Sequence, residues 1–178
     1  RVYNVGVPSA NTRALRLNSN DYYNTDSAYW YNTTPTSTVF TLGDNDDLNN
    51  GSQQYVAYCF ANVKGFSQSG AYTGNDNADG AFIYTGFKPA FVLIKRTDAS
   101  DDWYIYDNKR EGYNVDNDDL HPNNNDAEDA DDKIDLVSNG FKLRMANNDV
   151  NGNGNTYCYL AFAAEPLVAN VGQSIPAT

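Results

Sequence analysis

The sequence predicts an all-β protein, an antiparallel β-sandwich of jelly-roll or concanavalin-A-like type that contains an internal pseudo-repeat. Three observations lead there. The run Tyr55-Val56-Ala57-Tyr58-Cys59-Phe60-Ala61 recurs as Tyr157-Cys158-Tyr159-Leu160-Ala161-Phe162-Ala163, residue 55 aligning with residue 157. Each copy is short, apolar and aromatic, and follows a polar run, Asn49-Asn50-Gly51-Ser52 or Asn151-Gly152-Asn153-Gly154. That pattern reads as a strand buried on both faces, so both copies are expected at the centre of the sandwich. Helical periodicity is absent throughout, and aromatic residues make up 13% of the chain, with 14 Tyr, a composition that suits strands and contact surfaces.

Taken in order, residues 1–17 alternate loosely through Val2, Val5 and Val7, then Ala14-Leu15-Arg16-Leu17, with a turn at Pro8-Ser9. Asn18 to Asn32 is a polar, aromatic loop. Thr38-Val39-Phe40-Thr41-Leu42 reads as a strand, and the acidic turn Gly43 to Asp47 leads towards the first central strand. Ser69 to Thr73 and Ala81 to Tyr84 flank Gly74-Asn75-Asp76-Asn77-Ala78-Asp79-Gly80, a hairpin signature. Ala90-Phe91-Val92-Leu93-Ile94 is the most apolar run and reads as another central strand, and Trp103 to Tyr106 follows an acidic turn. Glu111 to Asp132 is expected to be a long Asn/Asp loop with at most one helical turn near Ala127. Ile134 to Val137, Phe141 to Arg144 and the second central strand complete the pattern.

The repeat extends beyond its strand. Phe40-Thr41-Leu42 aligns with Phe141-Lys142-Leu143, and Val2-Tyr3-Asn4 with Ile105-Tyr106-Asp107. Residues 1–64 are therefore read as a partial β repeat and 65–166 as a complete one, the two packing as one sandwich, with 167–178 as an extended tail. The partial repeat lacks the counterpart of Ala90 to Ile94. A sandwich missing a central strand exposes unpaired N–H and C=O groups beside apolar side chains. The slot is expected to be filled by the 65–166 unit, by the tail, or by another copy of the chain.

Net charge is −11 and the isoelectric point about 4.2, which disfavours phosphate backbones and anionic lipid surfaces. No nucleic-acid partner and no membrane insertion are expected, since no apolar run approaches the roughly 20 residues needed to span a bilayer. With Arg1 as first residue and no signal peptide, upstream sequence is expected to have been removed or to lie outside this chain. Cys59 aligns with Ala161 and Cys158 with Val56, positions of opposite parity that point to opposite strand faces. Two buried, unpaired cysteines are the expectation.

Candidate site residues fall in two groups. Tyr22, Tyr23, Tyr29, Trp30 and Tyr31 sit among Asn, Ser, Thr and Asp, the composition of many recognition loops, and a sugar ring could stack there. The plainer reading has Trp30 and some Tyr covering the sandwich edge. Asn75, Asn77 and Asp79 place oxygen side chains at alternate positions, which makes calcium the candidate metal. The bidentate Glu expected at the twelfth position is missing, residue 86 being Gly, and an Asx-type turn explains the same letters. The acidic run from Asp116 to Asp132 could gather a divalent cation between chains, although such runs are ordinarily solvated. His121, the only histidine, is read as a surface residue, and no Gly-x-Ser-x-Gly elbow accompanies it. Glu111, Glu128 and Glu165 are too widely spaced for a glycosidase acid pair on one strand. No enzyme is expected.

Tyr55 to Ala61, Gly70-Ala71-Tyr72-Thr73-Gly74-Asn75, Tyr84 to Asp98 and Ser138-Asn139-Gly140-Phe141-Lys142 resemble a repeat module of phage virion proteins, found in tail-fibre and other structural components. The likeness runs from about residue 13 to residue 166 and implies a concanavalin-A-like or jelly-roll sandwich at the virion surface, without catalytic residues. The partners it implies are other virion proteins, copies of itself and a host-surface glycan. A tail-fibre or capsid-surface decoration component is the resulting expectation; the alternative is a free carbohydrate-binding, lectin-like module.

Overall fold

The computed structural model describes residues 1–110, 114 and 118–166, so the expected tail at 167–178 lies outside the described residues. The chain is nearly all β, as expected. The elements in chain order are β1 (Arg13–Ala14), β2 (Asn24–Thr25), α1 (Asp46–Asn49), β3 (Ser67–Thr73), β4 (Phe82–Tyr84), β5 (Pro89–Arg96), β6 (Trp103–Asp107), β7 (Ile134–Val137), β8 (Gly140–Leu143) and β9 (Thr156–Ala163). A short 3-10 turn, Ala10–Thr12, precedes β1. All pairings are antiparallel. One sheet has the order β3-β9-β5-β6 and the other β4-β8-β7, with β1 and β2 a separate two-stranded pair.

Both larger sheets are drawn from residues 67–163. Their facing sides meet in the main core, where Val92, Ile94, Tyr106 and Tyr157 of one sheet pack against Ile134, Leu136, Phe141 and Leu143 of the other. Each of these is essentially inaccessible to water. The alternation along β5 and β9 explains how one sheet serves two faces. Val92, Ile94, Tyr157, Tyr159 and Ala161 point into the sandwich, while Leu93 and Cys158 point outward to a second cluster with Val7, Ala10, Leu15 and Trp103. Residues 1–30 thus form a cover on the outer face of the four-stranded sheet and contribute no strand to either sheet. Trp103 Nε1 donates to the Arg16 carbonyl at 2.8 Å and Asn4 Nδ2 to the Tyr159 carbonyl at 3.2 Å, tying the cover down. Gly6 is required by this contact, because a Cβ there would lie 2.1 Å from the Gly70 carbonyl oxygen.

Several local expectations are corrected. Residues 69–73 and 81–84 do not form a hairpin. β3 pairs with β9 and β4 with β8, so the Gly74 to Gly80 loop crosses from one sheet to the other. The loop is anchored by Asn151, which accepts from the Asn75 N–H at 3.0 Å and donates to the Asn77 carbonyl at 2.9 Å. Thr38 to Leu42 forms no strand; among the described residues the one short α-helix is α1, capped by Asn45. The largest correction concerns Tyr55 to Ala61. This run forms no strand, and every residue from 51 to 62 is exposed, whereas its echo at 157–163 is the inner part of β9. Cys59, expected to be buried, is exposed, while Cys158 is buried; both are free thiols.

The two halves nevertheless repeat in detail. Val2 bridges Leu15 as Ile105 bridges Leu120, and the Ala14–Asn24 pair matches the bridge between Asp119 and Asp129. The turn at Thr36 and Val39, closed by a 2.8 Å hydrogen bond, stands where Val137 pairs with Gly140. Tyr3, Leu42 and Leu48 gather around Ala14, Tyr29 and Trp30. Their counterparts Tyr106, Leu143 and Val150 lie in the main core. The first segment therefore builds the part of a repeat core that its own residues can supply.

Candidate functional site

The aromatic loop divides into an inner and an outer part. Tyr29 and Trp30 are buried, Trp30 donating through Nε1 to the Arg13 carbonyl at 2.8 Å and meeting Tyr3 edge-on at 5.5 Å. Tyr22 and Tyr31 are 51% and 52% exposed. Tyr23 lies between the two parts, with Tyr22 against it edge-on and the Arg13 guanidinium 4.0 Å from its ring centroid. Tyr31 and Asn32 both have left-handed backbone, at φ 47° and φ 54°. Tyr31 has no glycine-like freedom there, so the turn that swings its ring outward carries a cost of roughly 1–3 kcal/mol. The five rings expected to act together do not form one platform: two are core and two are surface.

At the Asn/Asp loop, the Asn77 Oδ1 accepts from the Asp79 N–H at 2.9 Å, an Asx turn. Asp79 Oδ1 is 2.8 Å from Lys142 Nζ and 3.9 Å from Arg144 Nη1. The Lys142 ammonium holds this carboxyl below the usual carboxylate range. Two of the three oxygens expected to face a calcium ion thus already have partners of their own. Among the described residues, no group of three or more His, Cys, Asp or Glu side chains is placed to hold a metal ion.

Sequence reasoning missed a buried charged cluster in the acidic segment. Asp119 is fully buried and Lys133 nearly so. Lys133 Nζ donates to Asp119 Oδ2 at 2.7 Å and to Asp129 Oδ2 at 2.9 Å, and lies 3.3 Å from Asp149. The Tyr106 hydroxyl donates to Asp119 Oδ2 at 3.3 Å. Burial alone would lower the Lys133 pKa, but its bonds to Asp119 and Asp129 outweigh that and raise it, so the ammonium is firmly charged. Burial raises the Asp119 pKa against the opposing pull of Lys133. His121 is not the surface residue expected. Its side chain is 10% exposed, with Nε2 3.2 Å from Asp119 Oδ1, Nδ1 3.3 Å from the Trp103 carbonyl and its ring edge-on to Tyr104 at 4.9 Å. An Asp-His pair resembles part of a catalytic triad, but among the described residues no Ser hydroxyl or Cys thiol meets this imidazole. The cluster instead pins the 118–133 segment to β6. The only sequence signal for it was that Lys133 closes a long acidic run.

Lys95 of β5 is a second buried ammonium, donating to the Asp101 carbonyl at 2.8 Å and to the Asn20 carbonyl at 3.2 Å. Burial lowers its pKa to about 8, since two carbonyl dipoles compensate less than a carboxylate would. It joins the β5–β6 turn to the cover.

The remaining feature is the exposed run at 51–62. Tyr58 is 83% exposed, Val56 80% and Phe60 57%. Among the described residues no strand pairs with it. Phe60 touches the sandwich, edge-on to Phe162 at 5.3 Å, and Asn62 closes the segment by bonding both the Ser69 N–H and, through Nδ2, the Ser69 carbonyl. Fully burying each such large apolar side chain is worth about 1.5–3 kcal/mol.

A family model described as a domain of unknown function, DUF7483, matches residues 1–166, which takes in both the incomplete and the complete repeat. No curated protein and no solved structure matches the chain. On the extent of the family match, the chain belongs to the DUF7483 family.

Proposed function

We propose that the chain is a non-catalytic structural module of a phage virion, a tail-fibre or capsid-surface decoration component that assembles with other virion proteins and with copies of itself. The observation that carries this reading is the solvent-exposed apolar run at 51–62, a strand sequence placed where only another protein segment can cover it. The buried ion cluster at Asp119 and Lys133 fits the same reading, since its groups are consumed in fastening a long loop. The virion assignment comes from the likeness of Tyr84 to Asp98 and the other quoted phrases to virion repeat modules. Mass spectrometry and antibody labelling of purified particles test it. The chain is expected in stoichiometric, ordered copies on the particle surface, and its absence from purified particles overturns the assignment.

A second reading, a lectin-like module that binds host-surface glycans, draws on the exposed rings of Tyr22 and Tyr31. A glycan array probed with the chain and with a Tyr22→Ala/Tyr31→Ala variant tests it. Binding that the variant loses supports it, and binding by neither chain removes it.

A further inference from the structure

The turn that delivers β9 into its sheet is reproduced ahead of residues 55–61, hydrogen bond for hydrogen bond. In the complete repeat the Tyr157 hydroxyl donates to the Asn148 carbonyl at 2.6 Å and accepts from the Gly152 N–H at 2.8 Å. In the first, the Tyr55 hydroxyl donates to the Asp46 carbonyl at 2.8 Å and accepts from the Asn50 N–H at 3.0 Å. The helical turn before it is also shared, Asn49 N–H bonding the Asn45 carbonyl at 3.0 Å and Asn151 N–H the Asn147 carbonyl at 3.1 Å. Each pair of equivalent atoms is separated by the same interval that separates Tyr55 from Tyr157. The exposed run is thus launched by the same local structure as β9 and resembles β9 in sequence, with Tyr55, Phe60 and Ala61 matching Tyr157, Phe162 and Ala163. What differs is that β9 pairs with β3 on one side and β5 on the other, whereas residues 55–61 pair with neither and touch β3 only at its start, where the Ser67 hydroxyl donates to the Ala61 carbonyl at 2.6 Å.

We infer that residues 55–61 are the central strand of a second sandwich, closed by the leading half of another repeat of this sequence type, whose strands of β3 and β5 pattern flank the run on either side. This deepens the assembly reading above and rests on it. The chain itself shows what covers a strand of this sequence. Ala161, the counterpart of Cys59, lies opposite Gln68 of β3 and Val92 of β5, and is fully buried. In the completed sheet Cys59 therefore sits between the equivalents of Gln68 and Val92, sealed from solvent. The cluster of Ala14, Tyr29 and Trp30 with Tyr3, Leu42 and Leu48 is already in place as the opposing part of that core. In this chain the edges of β3 and β5 that flank a strand of this pattern are already taken by β9. Exchange with a second copy would have to expel that copy's own β9 from the main core.

The test compares the full chain with the full chain carrying a second copy of residues 65–102 joined directly before Arg1. The readouts are the reaction rate of Cys59 with a thiol reagent and hydrogen exchange of residues 55–61. In the unextended chain Cys59 is expected to react as a free surface thiol, while Cys158 reacts only on unfolding. In the extended chain Cys59 is expected to slow by on the order of 100-fold or more, with matching amide protection. Tyr55→Asp in the extended chain should restore the fast rate while Cys158 stays protected, which separates strand insertion from global misfolding. Equal Cys59 rates in the two chains, with Cys158 protected in both, overturn the inference. So does concentration-dependent protection of Cys59 in the unextended chain, which would assign the slot to a second copy. Loss of Cys158 protection on extension also counts against it, since the added half would then be competing for β9. These outcomes are independent of whether the chain is found on virions, so failure here and failure of the virion reading are told apart.

Discussion

Replacing Asp119 with Ala removes the carboxylate that compensates Lys133 where neither residue can reach water. Asp119 is 0% exposed and Lys133 1%. Asp119 Oδ2 takes the 2.7 Å bond from Lys133 and a 3.3 Å bond from Tyr106, and its other oxygen faces His121 at 3.2 Å. Breaking a fully buried pair by deleting one partner ordinarily costs about 3–5 kcal/mol, because the stranded charge keeps its desolvation penalty. Two further carboxylates bear on Lys133, but the side chains of Asp129 and Asp149 are 44% and 36% exposed and are screened by water. They offset part of the loss and set the expectation at the lower end, about 3 kcal/mol. The first repeat supplies an internal comparison, since Ala14 stands at the position of Asp119 and is packed among Tyr29 and Trp30. Asp119→Ala combined with Lys133→Met, which removes the buried charge as well, should therefore recover a large part of the loss, a coupling of about 1–3 kcal/mol between the sites. Urea unfolding followed by tryptophan fluorescence measures both, Trp103 lying directly beside the cluster through the His121 contact to its carbonyl. A single-variant cost below about 1 kcal/mol, or a double variant no better than the single, would refute this account of the cluster.

Lys95 gives a prediction of opposite sign. Its folded pKa of about 8 lies below the unfolded value of 10.5, so the folded state sheds a proton first and stability rises as pH climbs from 8. Between pH 8 and 9 that rise should approach about 1 kcal/mol, and Lys95→Met should abolish it; a slope unchanged in the variant refutes the assignment. The window closes above pH 9, where ionisation of Cys158 in the unfolded chain favours unfolding, its own folded value being pushed up to about 12 by burial. At β8, Gly140→Ala would set a Cβ 2.0 Å from the Ile83 carbonyl oxygen and force β4 off β8, costing about 2–4 kcal/mol in thermal unfolding. A shift below about 1 kcal/mol would show that the sheet yields there. Tyr157→Phe leaves the Gly152 N–H and the Asn148 carbonyl without their partner and should cost about 1–3 kcal/mol by denaturant titration, whereas exposed Tyr55→Phe should cost under about 0.5 kcal/mol. Equal costs would mean that the first turn is packed as tightly as the second.

The sequence alone determined the all-β class, because the short apolar runs between Gly, Asn and Asp are a local property that no packing can reverse. It located β5, β6, β7, β8 and β9 to within a residue or two, and the repeat that relates Tyr55 to Tyr157. Tertiary structure decided which of two like runs becomes a strand. A strand's energy lies in its neighbours, and only residues 157–163 find β3 and β5 beside them. It also decided that the Gly74 to Gly80 loop crosses between sheets, since turn letters specify a bend and not the pairing on either side of it. The aromatic loop was legible as a group, but which rings face inward depends on Arg13, Tyr3 and Leu48, distant in sequence. Asp119 and Lys133 were hidden among a run of acids whose letters are those of a solvated loop. Their burial follows from the bridges of the segment to Ile105 and Asp129, contacts that exist only once β6 has a sheet to stand in.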